Sequence, residues 1–224
     1  MLQLEQITDP LLLSLKTVGC SSVLFLILGI PLAYLLSKKG LRLRWILDTL
    51  VTLPLVFPPI AVGFLLLLLL GENGWLGKVF SSFGITFIFS FYGLVIAGFI
   101  AGMPLMVKPL EAAIKLFPKE IKEAAYISGK NNLQTLFLII LPNIKNSLFT
   151  ALLLASARAF GEVGITLMLG GNIIGKTDTV SLAIYNAVFD GEYDLALVLS
   201  GILIMISLLF FIVLHFLEKK KPQI

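Results

Sequence analysis

Long apolar stretches separated by short polar segments make up most of the chain. Five stretches reach the roughly 20 residues that cross about 30 Å of hydrocarbon at 1.5 Å per helical residue. They cover residues 11–36, 49–70, 85–107, 147–169 and 195–217. The pattern predicts an all-α membrane protein, a single transmembrane domain over residues 1–224, with about five transmembrane helices. Because five is odd, the two termini should lie on opposite sides of the membrane.

Basic residues follow the first, third and fifth stretches and are sparse in the other connections. They are Lys38, Lys39, Arg42 and Arg44; Lys108, Lys115, Lys119, Lys122 and Lys130; and Lys219, Lys220 and Lys221. Loops rich in lysine and arginine remain in the cytoplasm. We therefore expect the N-terminus outside and the C-terminus in the cytoplasm.

The composition agrees with a protein surrounded by lipid. Hydrophobic residues make up 58% of the chain, charged residues 13%, and the mean hydropathy is +1.01. The net charge of +4 could suggest nucleic-acid binding, but the basic residues lie beside apolar stretches, so we expect no nucleic-acid partner. Cys20 is the only cysteine, which excludes a disulfide within the chain.

Prolines mark two of the predicted spans. Asp9 and Pro10 suit the N-cap and first turn of the first span. The second span contains Pro54, Pro58 and Pro59, which remove backbone donors and should bend the helix. The bend is either a fixed kink or a moving hinge, and the sequence leaves both open.

The connection over residues 108–142, after the third span, has a helical pattern of its own. Pro118 suits a first helical position and Gly129 the position after a helix end. Between them, a stripe at helical spacing is small enough to press into a groove on a partner: Ile121, Ala124, Ala125 and Ser128. Asn131 or Asn132 can cap a second helix that runs to Pro142.

The same connection resembles the EAA loop of ATP-binding-cassette (ABC) importer permeases. Glu123-Ala124-Ala125 is followed after three residues by Gly129 and after nine more by Ile139-x-Leu141-Pro142. The resemblance implies a type I ABC importer permease fold whose loop docks in a cleft of the nucleotide-binding subunit. It also implies that Glu123, Ala124, Ala125 and Gly129 contact that ATPase. The alternative is an ordinary amphipathic loop on the membrane surface.

Four further segments look like permeases for molybdate and related oxyanions: LPLVFPPIAVGFLLL, FGITFIFSFYGLVIAG, MPLMV and ARAFGEVGITLMLGGNIIGKTDTVSLAIY. The resemblance implies that the chain forms the pathway for molybdate, or for tungstate, which has nearly the same size, charge and shape. Permeases for sulfate or thiosulfate share this framework and are the alternative.

The resemblance also implies partners in the plasma membrane of a prokaryote. They are two ATP-binding subunits, a second permease copy that makes a homodimer, and an extracytoplasmic oxyanion-binding protein. The chain is then no enzyme by itself and holds no cofactor, since ATP and Mg bind to the ATPase. A stand-alone carrier or channel would need more intramembrane ionisable groups or an internal repeat. A membrane-embedded enzyme would need a nucleophile, base or metal constellation, which the sequence does not contain.

Arg158 and Glu162 form a charged pair inside the fourth predicted span, four residues apart and so on one helix face. Intramembrane charges are costly and commonly functional. Arg158 could attract an oxyanion in the pathway or at a gate, with Glu162 restraining it, or the two could be a structural pair. The glycines around them allow either close packing or a helix break: Gly161, Gly164, Gly170 and Gly171.

Two motifs point to other functions. Residues 170–177 satisfy the phosphate-binding pattern GxxxxGK[ST], but a membrane helix precedes them where a buried strand is required. His215 is the only histidine and has no cysteine partner for a metal site.

Residues 180–189 are apolar but too short to span, and we expect an external half-helix there that could contact the binding protein.

Overall fold

The structure, a computed structural model, describes residues 4–38, 40 and 42–219. Lys39, Lys220 and Lys221, which contributed to the predicted orientation, lie outside the described residues. The described part is helical and contains no β-strand. Its helices are α1 Glu5–Ser37, α2 Arg44–Val56, α3 Pro59–Leu70, α4 Trp75–Ser81, α5 Phe91–Leu116, α6 Lys119–Ile127, α7 Asn132–Asn143, α8 Lys145–Phe160, α9 Gly164–Gly170, α10 Val180–Phe189 and α11 Tyr193–Lys219.

Three of these helices are long and apolar enough to cross a membrane: α1, α5 and α11. Two bent pairs raise the number of candidate spans to five, α3 with α4 at 52° and α7 with α8 at 84°. The protein is thus an all-α membrane protein with up to five candidate spans among the described residues.

The centre of the bundle is α5, which packs against α1 and α8 through glycines. A Cβ atom on Gly102 would lie 2.4 Å from the Phe25 ring and 2.5 Å from the Ala155 carbonyl oxygen, so only glycine fits there. Gly98 approaches Ser21 in the same way, and the Ser21 hydroxyl donates to the Val95 carbonyl at 3.0 Å. Inside a membrane the hydrophobic effect does not drive helices together, so their association depends on close packing, which small residues allow.

The bundle has two ends, which we name by their loops. The loop end contains residues 117–131, and the opposite end contains residues 71–90 and 171–179. The first helix begins at the opposite end, where Ser14 accepts a hydrogen bond from the Val180 N–H at 2.9 Å. The last helix begins there too, because Leu195 lines a cavity together with Glu5.

The first span differs from its predicted bounds of 11–36. The helix begins at Glu5, so Asp9 is not its N-cap, and Pro10 is a buried residue inside it. The extra turn is stabilised by tertiary packing, since Ile7 packs against the apolar cluster at the junction of α10 and α11.

The third span also differs, because the predicted 85–107 is observed as α5, Phe91–Leu116. Residues before Ser90 form a loop that packs on α9, and the Phe89 N–H donates to the Leu169 carbonyl at 2.7 Å. At its other end the helix runs nine residues further than predicted. Glu111 lies within this extension, buried but paired with cations, so the charge does not end the helix.

Two of the predicted spans, the second with its prolines and the fourth with its glycines, are interrupted rather than continuous helices. The second predicted span, 49–70, breaks at residues 57–58 between α2 and α3. The fourth, 147–169, breaks at residues 161–163 between α8 and α9. The two breaks lie side by side, since a Cβ atom on Gly164 would be 2.7 Å from the Pro59 Cβ. The glycines therefore serve both suggested roles, with Gly161 at the break and Gly164 in close packing.

Candidate functional site

The helix α6, in the connection that resembles the EAA loop, has defined caps at both ends. Pro118 was predicted at the first helical position, but it is the N-cap, and the helix begins one residue later at Lys119. At the other end, Gly129 adopts φ +80° and its N–H donates to the Tyr126 carbonyl at 2.9 Å, while the Lys130 N–H donates to the Ala125 carbonyl at 3.1 Å. These bonds are the Schellman arrangement, which needs a residue in the left-handed region. The predicted role of Gly129 as a helix stop is confirmed.

The two faces of α6 differ in exposure. Ala125 is buried against its own chain with 4% of its surface exposed. Glu123, Ala124 and Gly129 are exposed, as is Ile127. The predicted small-residue stripe is therefore split between an inward and an outward face. The accessible face combines a carboxylate, small residues and an isoleucine, a surface that a partner protein can contact.

One side chain attaches α6 to the end of α5. The Lys122 ammonium donates to the Ile114 carbonyl at 2.8 Å and lies 5.7 Å from the centre of the Phe117 ring. It thereby satisfies a carbonyl in the last turn of α5, which would otherwise lack a partner. Burial, and then the charge of Lys119, lower the pKa of Lys122.

A second contact attaches the other end of α6 to α7 and α1. The Tyr126 hydroxyl donates to the Asn132 side-chain oxygen at 3.0 Å, and the Tyr34 hydroxyl lies 3.5 Å from the Asn132 carbonyl oxygen. Burial raises the pKa of Tyr126. Asn131 caps α7 in a reciprocal capping box with Gln134, which selects Asn131 from the two predicted caps. The helix α6 is thus held at both ends.

Arg158 and Glu162 meet as predicted, but not on one continuous helix. Their Nη1 and Oε2 atoms are 2.5 Å apart, although α8 ends at Phe160 and Glu162 lies in the break. The second carboxylate oxygen, Oε1, accepts from the Ile165 N–H at 2.8 Å. Glu162 is 1% and Arg158 31% exposed at the side chain. The carboxylate therefore joins the end of α8 to the start of α9.

A small polar cavity of about 10 Å³ lies beside Glu162. The hydroxyls of Thr17 and Thr179 line it, are buried, and have no hydrogen-bond partner among the described residues. This is about the least space that can hold one water molecule. The break between α8 and α9 therefore has buried polar groups beside it.

An acidic cavity of about 380 Å³ lies at the opposite end, between the starts of α1 and α11 and the half-helix α10. Its lining contains five carboxylates: Glu5, Asp9, Asp178, Asp190 and Glu192. Burial raises the pKa of Asp178; hydrogen bonds from backbone N–H groups oppose this, and the Asp9 charge adds to it. This surface favours positively charged groups.

The phosphate-loop look-alike closes on itself. The Thr177 hydroxyl is fully buried, accepts from the Ile173 N–H at 2.8 Å and donates to the Gly170 carbonyl at 2.7 Å. The helix α9 precedes this loop where a nucleotide site needs a strand. His215 is exposed on α11, and the described residues contain no His, Cys, Asp and Glu group suited to a metal ion.

One buried ion cluster was missed by the sequence reasoning. Glu111 is 3% exposed; its Oε1 is 3.2 Å from Arg44 Nη2 and 2.5 Å from Lys115 Nζ, and its Oε2 is 3.2 Å from Lys108 Nζ. Lys108 also pairs with Asp48. These five residues are called the Glu111 cluster below. The signal was present in the spacing of Lys108, Glu111 and Lys115 on one helix face, but residues 108–116 had been assigned to a loop.

Comparison with known proteins identifies the family. Residues 26–221 match the model of the family described as "Binding-protein-dependent transport system inner membrane component". The chain belongs to this family. It is the membrane permease subunit of an ABC importer, a multi-pass plasma-membrane protein that works with an ATPase and an extracytoplasmic binding protein. It is not itself the enzyme, because ATP hydrolysis takes place in the separate subunit.

Individual relatives extend the comparison. The molybdenum transport system permease protein ModB of Azotobacter vinelandii is 34% identical over 91% of this chain and 90% of its own length. The probable transport system permease protein NifC of Clostridium pasteurianum is 38% identical over 80% of this chain, which spans only 63% of NifC. A probable sulfate transport system permease protein, cysT of Chlorella vulgaris, is 28% identical over 92% of this chain and 79% of its own length.

A solved structure gives the same fold. The crystal structure of a bacterial ABC transporter involved in the import of the acidic polysaccharide alginate contains a chain that superposes with a TM-score of 0.69. The match covers 98% of this chain and 82% of that chain at 20% identity. The predicted permease fold is thereby confirmed.

Proposed function

We propose that this permease imports molybdate, or tungstate, driven by ATP hydrolysis in its partner. The observation that carries the proposal is the identity of 31–36% to molybdenum permeases along nearly the whole of both chains, whereas the sulfate permeases, at 28–32%, are matched over at most 79% of their own length. Sulfate or thiosulfate import is the second candidate, since the two kinds of permease share one framework. No cofactor is needed in this chain under either proposal, because ATP and Mg bind to the ATPase.

The proposed assembly has two copies of this chain, two ATPase subunits and one binding protein. Exposed apolar surface supports a second copy and a lipid surround, since only 6% of the apolar window of α11 is buried. The acidic cavity supports contact with basic groups of the binding protein at the opposite end, where α10 forms one wall.

The accessible face of α6 is the proposed contact with the ATPase. Glu123, Ala124 and Gly129 would touch it directly, whereas the buried Ala125 would support them from beneath. Movement of the ATPase would then reach the bundle through Lys122 at one end of α6 and Tyr126 at the other.

Reconstitution of the complex tests the proposal. Vesicles containing the permease, its ATPase and its binding protein are supplied with molybdate, tungstate, sulfate or thiosulfate, and both ATP hydrolysis and uptake of the labelled anion are measured. We expect molybdate and tungstate to stimulate both. If sulfate stimulates hydrolysis and uptake and molybdate does not, the second candidate, sulfate import, is correct instead. Uptake without ATP would contradict the ABC mechanism.

A further inference from the structure

The Glu111 cluster supplies much of the attachment of α2 to the bundle. Of the 13 residues of α2, only Val51 and Pro54 are buried. The first half of the helix reaches α5 through ion pairs, Arg44 with Glu111 and Asp48 with Lys108. Charge-assisted hydrogen bonds are stronger and more directional than apolar contacts. The cluster therefore fixes where the start of α2 lies relative to α5.

The same end of α5 carries α6, which we call the coupling helix because it is the proposed contact with the ATPase. Glu111 lies three residues before Ile114, whose carbonyl accepts the hydrogen bond from Lys122 of α6. Phe117, in the turn between α5 and α6, is also buried. Direct contacts thus run from α6 to the last turns of α5, and from there through Glu111 to α2.

The movement of α2 has a route into the rest of the bundle. Its last residue, Val56, is followed by the break at residues 57–58 and then by α3. A Cβ atom on Gly63 of α3 would lie 3.0 Å from the Ile165 Cα of α9, so these two helices are in direct contact. A displacement of α2 therefore acts on both interrupted spans.

We propose that Glu111 is a positioning residue that makes α2 follow α5 when the ATPase moves the coupling helix. This inference rests on the proposed function, since it needs an ATPase that acts on α6. Without the Glu111 carboxylate, α6 and α5 still move with the ATPase, but α2 lags behind. ATP is then hydrolysed without moving the anion.

The substitution Glu111→Gln tests this with little change in shape. It removes the three ion pairs of Glu111 and leaves Asp48 with Lys108 as the one remaining ion pair of the cluster. It strands no buried charge, because the side chains of Arg44, Lys108 and Lys115 are 35–40% exposed and can be hydrated. The complex with ATPase and binding protein is reconstituted, and assembly, ATP hydrolysis and uptake of labelled molybdate are measured. Glu72→Gln, an exposed carboxylate at the opposite end, is the matched control.

We expect Glu111→Gln to assemble normally and to hydrolyse ATP within about twofold of wild type, while uptake falls by about tenfold, as for a lost coupling between sites. Glu72→Gln should leave all three unchanged. An artificial link between α2 and α5 should then restore uptake to Glu111→Gln. To make this link, Asp48→Cys and Lys108→Cys are added in a Cys20→Ser background, and the two new cysteines are joined by a short thiol cross-linker.

Three results would overturn the inference. Uptake by Glu111→Gln within twofold of wild type would show that the cluster is not needed. Parallel loss of assembly, hydrolysis and uptake would indicate a general folding role. Failure of the cross-linked form to recover uptake would show that loss of the α2 attachment is not the cause of the lost uptake. If the wild-type complex itself neither hydrolyses ATP nor takes up molybdate, the proposed function fails instead.

Discussion

At the scale of single residues, Glu162 serves two partners across a helix break. One carboxylate oxygen pairs with Arg158 and the other accepts the Ile165 N–H. Ile165 is 1% exposed, so its N–H does not reach bulk water if the acceptor is lost. The residue acts as a joint between α8 and α9, whether or not Arg158 also meets the anion.

Substitutions at Glu162 should separate the two bonds. Glu162→Gln keeps an acceptor for Ile165, whereas Glu162→Ala leaves the buried N–H without one. We expect Ala to destabilise the protein by about 1–3 kcal/mol more than Gln, the usual cost of an unsatisfied buried donor. Thermal unfolding of the purified protein measures this, and equal losses for Gln and Ala would contradict the assignment.

Arg158→Gln completes this series and addresses the pathway role. If Arg158 attracts the anion, the variant should assemble normally and lose uptake. Normal assembly with unchanged uptake would leave only the structural pair.

At the scale of helices, α6 offers the most direct test of the proposed ATPase contact. Glu123→Arg reverses an exposed charge without touching the Lys122 or Tyr126 attachments. We expect ATPase co-purification to fall by about tenfold or more, because reversing a charge in an interface is costly. Glu72→Arg makes the same change at the opposite end and should have no effect. Intact ATPase binding and uptake in Glu123→Arg would contradict the proposed contact.

The helices also indicate how far the sequence can be interpreted. Apolar length located the three long helices α1, α5 and α11, and Gly129 and Asn131 marked helix ends because their chemistry is local. The starts of α1 and α5 were missed because packing on distant segments decides them. Similarly, the Glu111 cluster joins residues 60 and 67 positions apart, and only the folded chain brings Arg44 and Asp48 to α5.

At the scale of the whole molecule, orientation in the membrane remains a prediction from the positive charges. Single cysteines in a Cys20→Ser background test it, one at Arg42 near the loop end and one at Glu72 near the opposite end, both exposed. An impermeant maleimide added outside sealed vesicles of known sidedness should label Glu72→Cys. It should label Arg42→Cys only after the membrane is opened, and the reverse pattern would invert the proposed topology.

The neighbouring breaks in the two interrupted spans limit how this protein can vary during evolution. Gly164 lies so close to Pro59 and Ile60 that even a methyl group would meet atoms at 2.7 and 3.0 Å. A larger residue at position 164 would be accepted only together with a change that moves the start of α3 away. Residues in these two stretches, about a hundred positions apart, should therefore change together among related proteins.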